Sequence, residues 1–326
     1  MKAKILSMLR GTDGYISGQQ LCEQFQVSRT AVWKVMEQLK AEGYQIEAVR
    51  NKGYHLKDTP DVMAKAEIES VLTTEWAGCD VYYFPETDST NTQAKRLGDE
   101  GAVHGTLIVA ERQTGGKGRR GRSWESPAGS SIYMSILLRP DILPNQAPML
   151  TLVMAQSVAE AIRIQTGEEA LIKWPNDIVI NGKKVCGILT EMSTEIQWIN
   201  HVVIGVGINV NTEHFPEEIA ETATSLYLEN GKRQQRSLLI AEVLKQFERY
   251  YSLFVNAGNL SVMQEEYNRL LVNCGREVKV LGPGQEYTGE AIGINETGEL
   301  LIRTEDGQIR EIYAGEVSVR GIYGYV

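Results

Sequence analysis

Residues 81–210 hold seven strand-length apolar runs: 81–84, 106–111, 132–140, 171–174, 177–182, 184–192 and 201–210. Several are near-continuous in apolar residues, without the alternation of a sheet that faces water, and this predicts a sheet with one face covered by helices. Helical spacing falls between and after them, at 90–101, 147–167 and 237–258. The last of these keeps Ile240, Leu244, Phe247, Tyr251 and Phe254 on one face. Strands mixed with helices in this way make the class α+β. A chain of 326 residues has room for two or three such domains and a real core without a metal or disulfide staple. Its four cysteines, Cys22, Cys79, Cys186 and Cys274, form no CxxC pair and no cluster with histidine, which speaks against a zinc site and fits a reducing cytoplasm. The N-terminus lacks the pattern of a signal peptide and no run is long enough to span a membrane, so the expected location is cytoplasmic, with no membrane partner.

A net charge of −9 argues at first against a nucleic-acid binder, but it is an average over unlike segments. Residues 1–57 carry nine Lys or Arg against five Asp or Glu, a net +4, which leaves −13 for the rest. Within the basic segment, helical spacing at Ile5, Leu6 and Leu9 is followed by Leu21 and Phe25, a tight turn, and a third helix opened by Ser28 with Val32, Val35, Met36 and Leu39 as its buried stripe. Two short strands joined by the basic tip RNKG close the unit. This order predicts a winged helix-turn-helix over residues 1–60. Its expected DNA face is Ser28, Arg29, Thr30, Trp33, Lys34, Arg50 and Lys52, with Arg29 and Thr30 toward base edges and Lys34, Arg50 and Lys52 toward phosphates. A small helical protein-interaction domain is the alternative reading. The segment 57–63 reads as a linker, residues 61–272 as the α+β domain, and residues 273–326, five short strands separated by glycine turns, as a small SH3-like β-barrel.

The stretch 111–124, ERQTGGKGRRGRSW, is the most informative. Residues 112–122 hold five basic side chains and no acid, within a segment that is otherwise acidic. Gly116, Gly118 and Gly121 formally match GxGxxG, but a dinucleotide fingerprint needs a helix straight after it and here another strand follows. Glycines let backbone approach an anion and arginines add bidentate phosphate donors, so an anionic ligand would order a loop whose like charges otherwise keep it mobile. A solvated basic loop or a second nucleic-acid contact are the competing readings. KWPND (173–177) sets a lysine, an aromatic, a proline turn and Asn-Asp in a row, and Lys183 and Lys184 open the next strand; a carboxylate or phosphate site competes here with a packed turn and an edge guard. TDSTN (87–91) offers polar ligand contacts or simple helix capping. There is no P-loop, HExxH motif or GxSxG elbow.

Taken together, DSTN (88–91), ERQTGGKGRRGRSW (111–124), KWPND (173–177), KVCGIL (184–189) and GVGINV (205–210) resemble the biotin–protein ligases in order and spacing. With a winged helix in front, the chain is most similar to the bifunctional bacterial type, biotin ligase and biotin-operon repressor. Lipoate ligases share the fold, but their RRxxGGG signature is absent. The resemblance implies that biotin and ATP, with Mg2+, form biotinyl-5′-AMP and pyrophosphate, and that biotin then passes to a lysine of a biotin carboxyl carrier domain. It implies biotin contacts from Ser89, Thr90, Asn91, Gln113, Lys117, Gly118, Arg119 and Lys184. It implies nucleotide contacts from Arg119, Arg122, Asn176 and Asn209, with Lys184 and Arg119 as the catalytic cations. The adenylate would act as corepressor, driving a homodimer onto operator DNA. Two departures stand out: the loop reads GKGRRGR where the family commonly has GRGRRGR, so Lys117 keeps the charge and loses the fork. Residues 211–226 contain no tryptophan to pack on adenine, and Phe215 is the stand-in.

Overall fold

The structure is a computed structural model that describes residues 1–195, 198–282, 285–313 and 318–321. The chain divides into two compact units, one of Met1–Leu72 with Gln235–Leu238, the other of Thr73–Gln234 with Leu239–Val326.

The first unit contains helices α1 (Lys2–Arg10), α2 (Gly18–Phe25) and α3 (Arg29–Ala41), the hairpin β1 (Gln45–Val49) and β2 (Gly53–Asp58), and α4 (Lys65–Val71). Ser17 opens α2 with a capping box, accepting from Gln20 N–H at 3.1 Å while Gln20 Oε1 accepts from Ser17 N–H at 2.9 Å. Ser28 opens α3 by accepting from Ala31 N–H at 3.2 Å. The stripe Val32, Val35, Met36 and Leu39 is buried against Ile5, Leu6, Leu9 and Leu21, as the spacing predicts. Asn51, at φ 66°, turns the hairpin tip. Residues 57–63 are packed: Asp61 pairs with Arg236 at 3.0 Å and Met63 is fully buried, so the linker expected there is part of the unit. Helix α4, seven residues and too short for its periodicity to be read, follows and buries Ile68.

The second unit is built on a seven-stranded sheet. Its elements are β3 (Val81–Phe84), α5 (Thr90–Asp99), β4 (Thr106–Ala110), β5 (Ser131–Leu138), α6 (Met149–Thr166), β6 (Leu171–Lys173), β7 (Asp177–Ile180), β8 (Lys183–Glu195) and β9 (Trp198–Asn209). The strand order is β3-β4-β5-β9-β8-β7-β6, with β3 and β4 parallel and every other pair antiparallel. Helix α5 lies on β4, β5 and β9, and α6 on β6, β7 and β8. Every residue of β4 and β5 is buried, so both faces of these strands are covered, not the single face expected.

Short helix α7 (Leu226–Asn230) follows, then α8 (Arg236–Ala257), whose predicted apolar face is buried, and α9 (Gln264–Leu270). The five strands expected in the last segment are present as β10 (Arg276–Gly282), β11 (Gln285–Ile294), β12 (Leu300–Arg303), β13 (Ile309–Ile312) and β14 (Ser318–Gly321). They form an antiparallel sheet in the order β13-β12-β11-β10-β14 over a small core that includes Val280, Ile294, Leu300 and Ile302.

Candidate active site

A cleft of about 480 Å³ opens where the start of α5, the glycine–arginine loop and the strands β8 and β9 meet. Ser89, Thr90 and Asn91 enter it from the first turn of α5, and all three are buried. Ser89 stands at the N-cap position without making a side-chain capping bond, so TDSTN is not spent on capping. The local turn is held instead by Asp88, whose Oδ1 accepts from Ser89 N–H at 2.8 Å and Gln93 Nε2 at 2.8 Å.

Gln113 ties this corner to the loop. Its Oε1 accepts from Thr90 N–H at 2.8 Å and its Nε2 donates to Ser126 Oγ at 2.9 Å. The loop folds back on itself: Trp124 N–H donates to Gly116 O at 2.9 Å and Gly118 N–H to Arg122 O at 2.7 Å. Only a glycine fits at 116, where a Cβ would stand 2.4 Å from Trp124 O. This folding brings Lys117, Gly118, Arg119 and Trp124 to the cleft, while the tip residue Arg120, at φ 57°, faces outward.

Lys184 and Arg119 also reach the cleft. Lys184 Nζ lies 2.6 Å from Asp177 Oδ1 and 5.1 Å from the centre of the Trp124 ring. Arg119 Nη1 donates to Asn176 Oδ1 at 2.9 Å. Burial draws the Arg119 guanidinium below its ordinary range, and Asp177 opposes that pull. In KWPND, Trp174 is a packing residue, buried with its Nε1 donating to Gly298 O at 3.1 Å, and Asn176 is the side chain that reaches the cleft. The Lys184 side chain is 24% exposed, a position turned into the cleft and not an edge guard.

Of the residues singled out in sequence, Ser89, Thr90, Asn91, Gln113, Lys117, Gly118, Arg119, Asn176 and Lys184 come together here. Arg122 is exposed outside the cleft lining, and Asn209 is buried with its Nδ2 donating to Thr224 O at 3.1 Å. Phe215 is also outside the lining. Sequence reasoning passed over Trp124, Gly187, Gly205 and Gly207. A Cβ on Gly207 would lie 2.9 Å from the Trp124 ring, and one on Gly205 would lie 2.1 Å from Asn91 Oδ1. Glycines inside strands signal such close approaches, and GVGIN carried that signal.

In the first unit, Arg29, Arg50 and Lys52 border one groove between the start of α3 and the hairpin tip. Thr30, Trp33 and Lys34 are exposed on α3, and Arg29 Nη2 donates to Gln19 Oε1 at 3.0 Å. Ser28 serves as the cap of that helix.

A helix-turn-helix unit with a basic wing is followed by an α+β core whose cleft joins a neutral polar corner to the cations Lys184 and Arg119, and matches to known proteins give the class: a DNA-binding module in front of a ligase-type enzyme. Residues 2–55 match an HTH domain, 83–209 the Biotin/lipoate A/B protein ligase family, and 274–320 the Biotin protein ligase C terminal domain. The bifunctional ligase/repressor BirA of Bacillus subtilis is 40% identical over 94% of this chain and 94% of its own length. That of Escherichia coli is 31% identical over 97% and 96%. A biotin protein ligase from Aquifex aeolicus, solved in complex with biotin and ATP, superposes with a TM-score of 0.67 at 37% identity, covering 74% of this chain and 99% of that one. The chain belongs to the biotin protein ligase family, and among its members to the bifunctional ligase/repressors.

Proposed function

We propose that this protein activates biotin with ATP and transfers it to a lysine of biotin carboxyl carrier domains, and that it represses biotin-synthesis genes as an operator-bound dimer loaded with the adenylate. One observation carries the enzymatic half: a single cleft sets the buried hydrogen-bonding corner of residues 89–91 and Gln113 against the cations Lys184 and Arg119. The neutral corner suits the uncharged ring system of biotin, and the cations suit its carboxylate where that meets the α-phosphate.

In the first step a biotin carboxylate oxygen bonds to the α-phosphorus of ATP and the bond to the pyrophosphate oxygen breaks. Two anions must approach, so fixed positive charge is what the barrier requires. Lys184 and Arg119 supply it. Asp177 and Asn176 hold them in place before the ligands arrive. Mg2+ bound with the triphosphate would add to the charge neutralisation that Lys184 and Arg119 provide. In the second step the acceptor lysine amine attacks the acyl carbon and AMP leaves. Lys117 and Gly118 form part of the loop that screens the anhydride from water until then. Arg122 and Asn209 are assigned to the nucleotide by their motif positions. We further propose the domain limits 1–60, 61–272 and 273–326 as functional divisions.

The regulatory half rests on the basic groove of Arg29, Arg50 and Lys52. These residues are suited to phosphates and α3 to the major groove. An inverted-repeat operator would call for a homodimer, and a repressor works in the compartment that holds its DNA, the cytoplasm. The full-length protein should catalyse biotin-dependent ATP–pyrophosphate exchange. It should also shift promoter DNA of biotin-synthesis genes only when ATP and biotin are both present. Exchange without any DNA shift leaves a ligase alone, and a shift without exchange leaves a pure regulator.

A further inference from the structure

Glu191, on β8, is a charged side chain that no step above uses. Its Oε2 accepts from Asn91 Nδ2 at 2.8 Å and its Oε1 from Lys95 Nζ at 2.8 Å. Burial works to raise its pKa, but the bonds from Lys95 and Asn91, together with the charges of Lys95 and of Lys117 in the glycine–arginine loop, hold it below the usual carboxylate range. It is therefore an ionised group that can only accept hydrogen bonds.

That restriction propagates. Asn91 Nδ2 faces two acceptors, Glu191 and Leu189 O at 3.2 Å, so both of its protons are spent and its orientation is fixed. Asn91 Oδ1 is left toward Ser135, whose Oγ donates to it at 2.6 Å. Ser135 has one proton, so toward Thr90 Oγ1, 2.8 Å away, it can only accept. Among the described residues the Thr90 hydroxyl has two hydrogen-bonding neighbours, Ser135 Oγ and Gln113 Oε1, the latter at 3.1 Å. Gln113 Oε1 is itself fixed as an acceptor by the Thr90 N–H. Whichever it chooses, the Thr90 proton points inward and a lone pair is left for the cleft.

We propose that Glu191 is a positioning residue that fixes the donor–acceptor direction of this chain, so that the Thr90 corner presents an acceptor to a ligand N–H. The inference rests on the biotin-ligase reading, in which the ureido group of biotin supplies that N–H. Removing the carboxylate takes away one of the two acceptors that hold the Asn91 amide, leaving Leu189 O alone against a turn-over that would reverse the bond to Ser135.

The test uses the full-length protein in ATP–pyrophosphate exchange, with KM measured separately for biotin and ATP. Glu191→Ala should raise KM for biotin roughly tenfold or more, the scale of a few misdirected hydrogen bonds, while KM for ATP stays within about twofold. The pair Lys95→Met with Glu191→Gln separates polarity from charge, because a glutamine oxygen still accepts from Asn91 and no lysine is left unpaired. That double variant should bind biotin within about threefold of the parent protein. An unchanged KM for biotin in Glu191→Ala would overturn the proposal. So would equal losses in Glu191→Ala and the double variant, which would make the role one of charge alone. If the parent protein shows no biotin-dependent exchange, the ligase reading itself has failed, a result distinct from either.

Discussion

Replacing Lys184 with methionine keeps most of the side-chain stem and removes one charge from the end of the cleft where the reaction concentrates negative charge. The Lys184 side chain is 24% exposed and its partner Asp177 15%, so the pair is shielded from bulk water but not dry. At an effective dielectric near 20, unit charges about 4 Å apart interact by about 4 kcal/mol. Losing one positioned donor to a developing oxyanion typically costs about 3 kcal/mol, roughly 10²-fold in rate. The two figures place the expected fall in kcat/KM for biotin-dependent ATP–pyrophosphate exchange between about two and three orders of magnitude. The same change takes the Lys184 charge away from Asp177 and the cation–π contact away from Trp124, so Tm should drop by a few degrees at most. A variant that folds, melts near the parent and exchanges within about threefold of it would refute the role given to Lys184.

Other expectations follow from the same geometry. Arg119→Gly removes the bond to Asn176, so the adenylate should escape faster; rapid filtration should show retention shortened about tenfold or more, with bystander lysines labelled. Gly205→Ala puts a Cβ 2.1 Å from Asn91 Oδ1, so it should weaken biotin binding in calorimetry and cost about 1–3 kcal/mol in denaturant unfolding. His201 and His104 are both held below the ordinary histidine pKa, chiefly by burial, while the unfolded chain takes up their protons near pH 6.5. Their contribution to stability should therefore be level above that pH and fall below it, by at most about 1.4 kcal/mol per histidine per pH unit, until the folded pKa is reached. His201→Leu should flatten that acid limb in a Tm series.

The elements with long periodicity were legible in the sequence, because burial imposes the pattern directly: α3 with its Ser28 cap, the strands of the core and the apolar face of α8. The short helices α4, α7 and α9 were not, since five to seven residues give too little periodicity to read. In the site, the residue types were legible and their partners were not. Lys184 stood out as a cation at a strand start, but its pairing with Asp177 depends on the β7–β8 register. Glu191 lies 100 residues from Asn91 and looks in sequence like any polar residue at the end of an apolar strand. The strand glycines at 187 and 207 announced a close approach without naming Trp124 as the group that makes it.

Activation of biotin in this cleft for a carrier lysine is tested most directly by mass spectrometry of a biotin carboxyl carrier domain incubated with the protein, ATP and Mg2+. Biotin and lipoate are supplied in separate reactions. One biotinyl group is expected on the carrier lysine, dependent on ATP, with no lipoyl transfer. Equal transfer of lipoate, or an unmodified carrier in the presence of biotin and ATP, would contradict it.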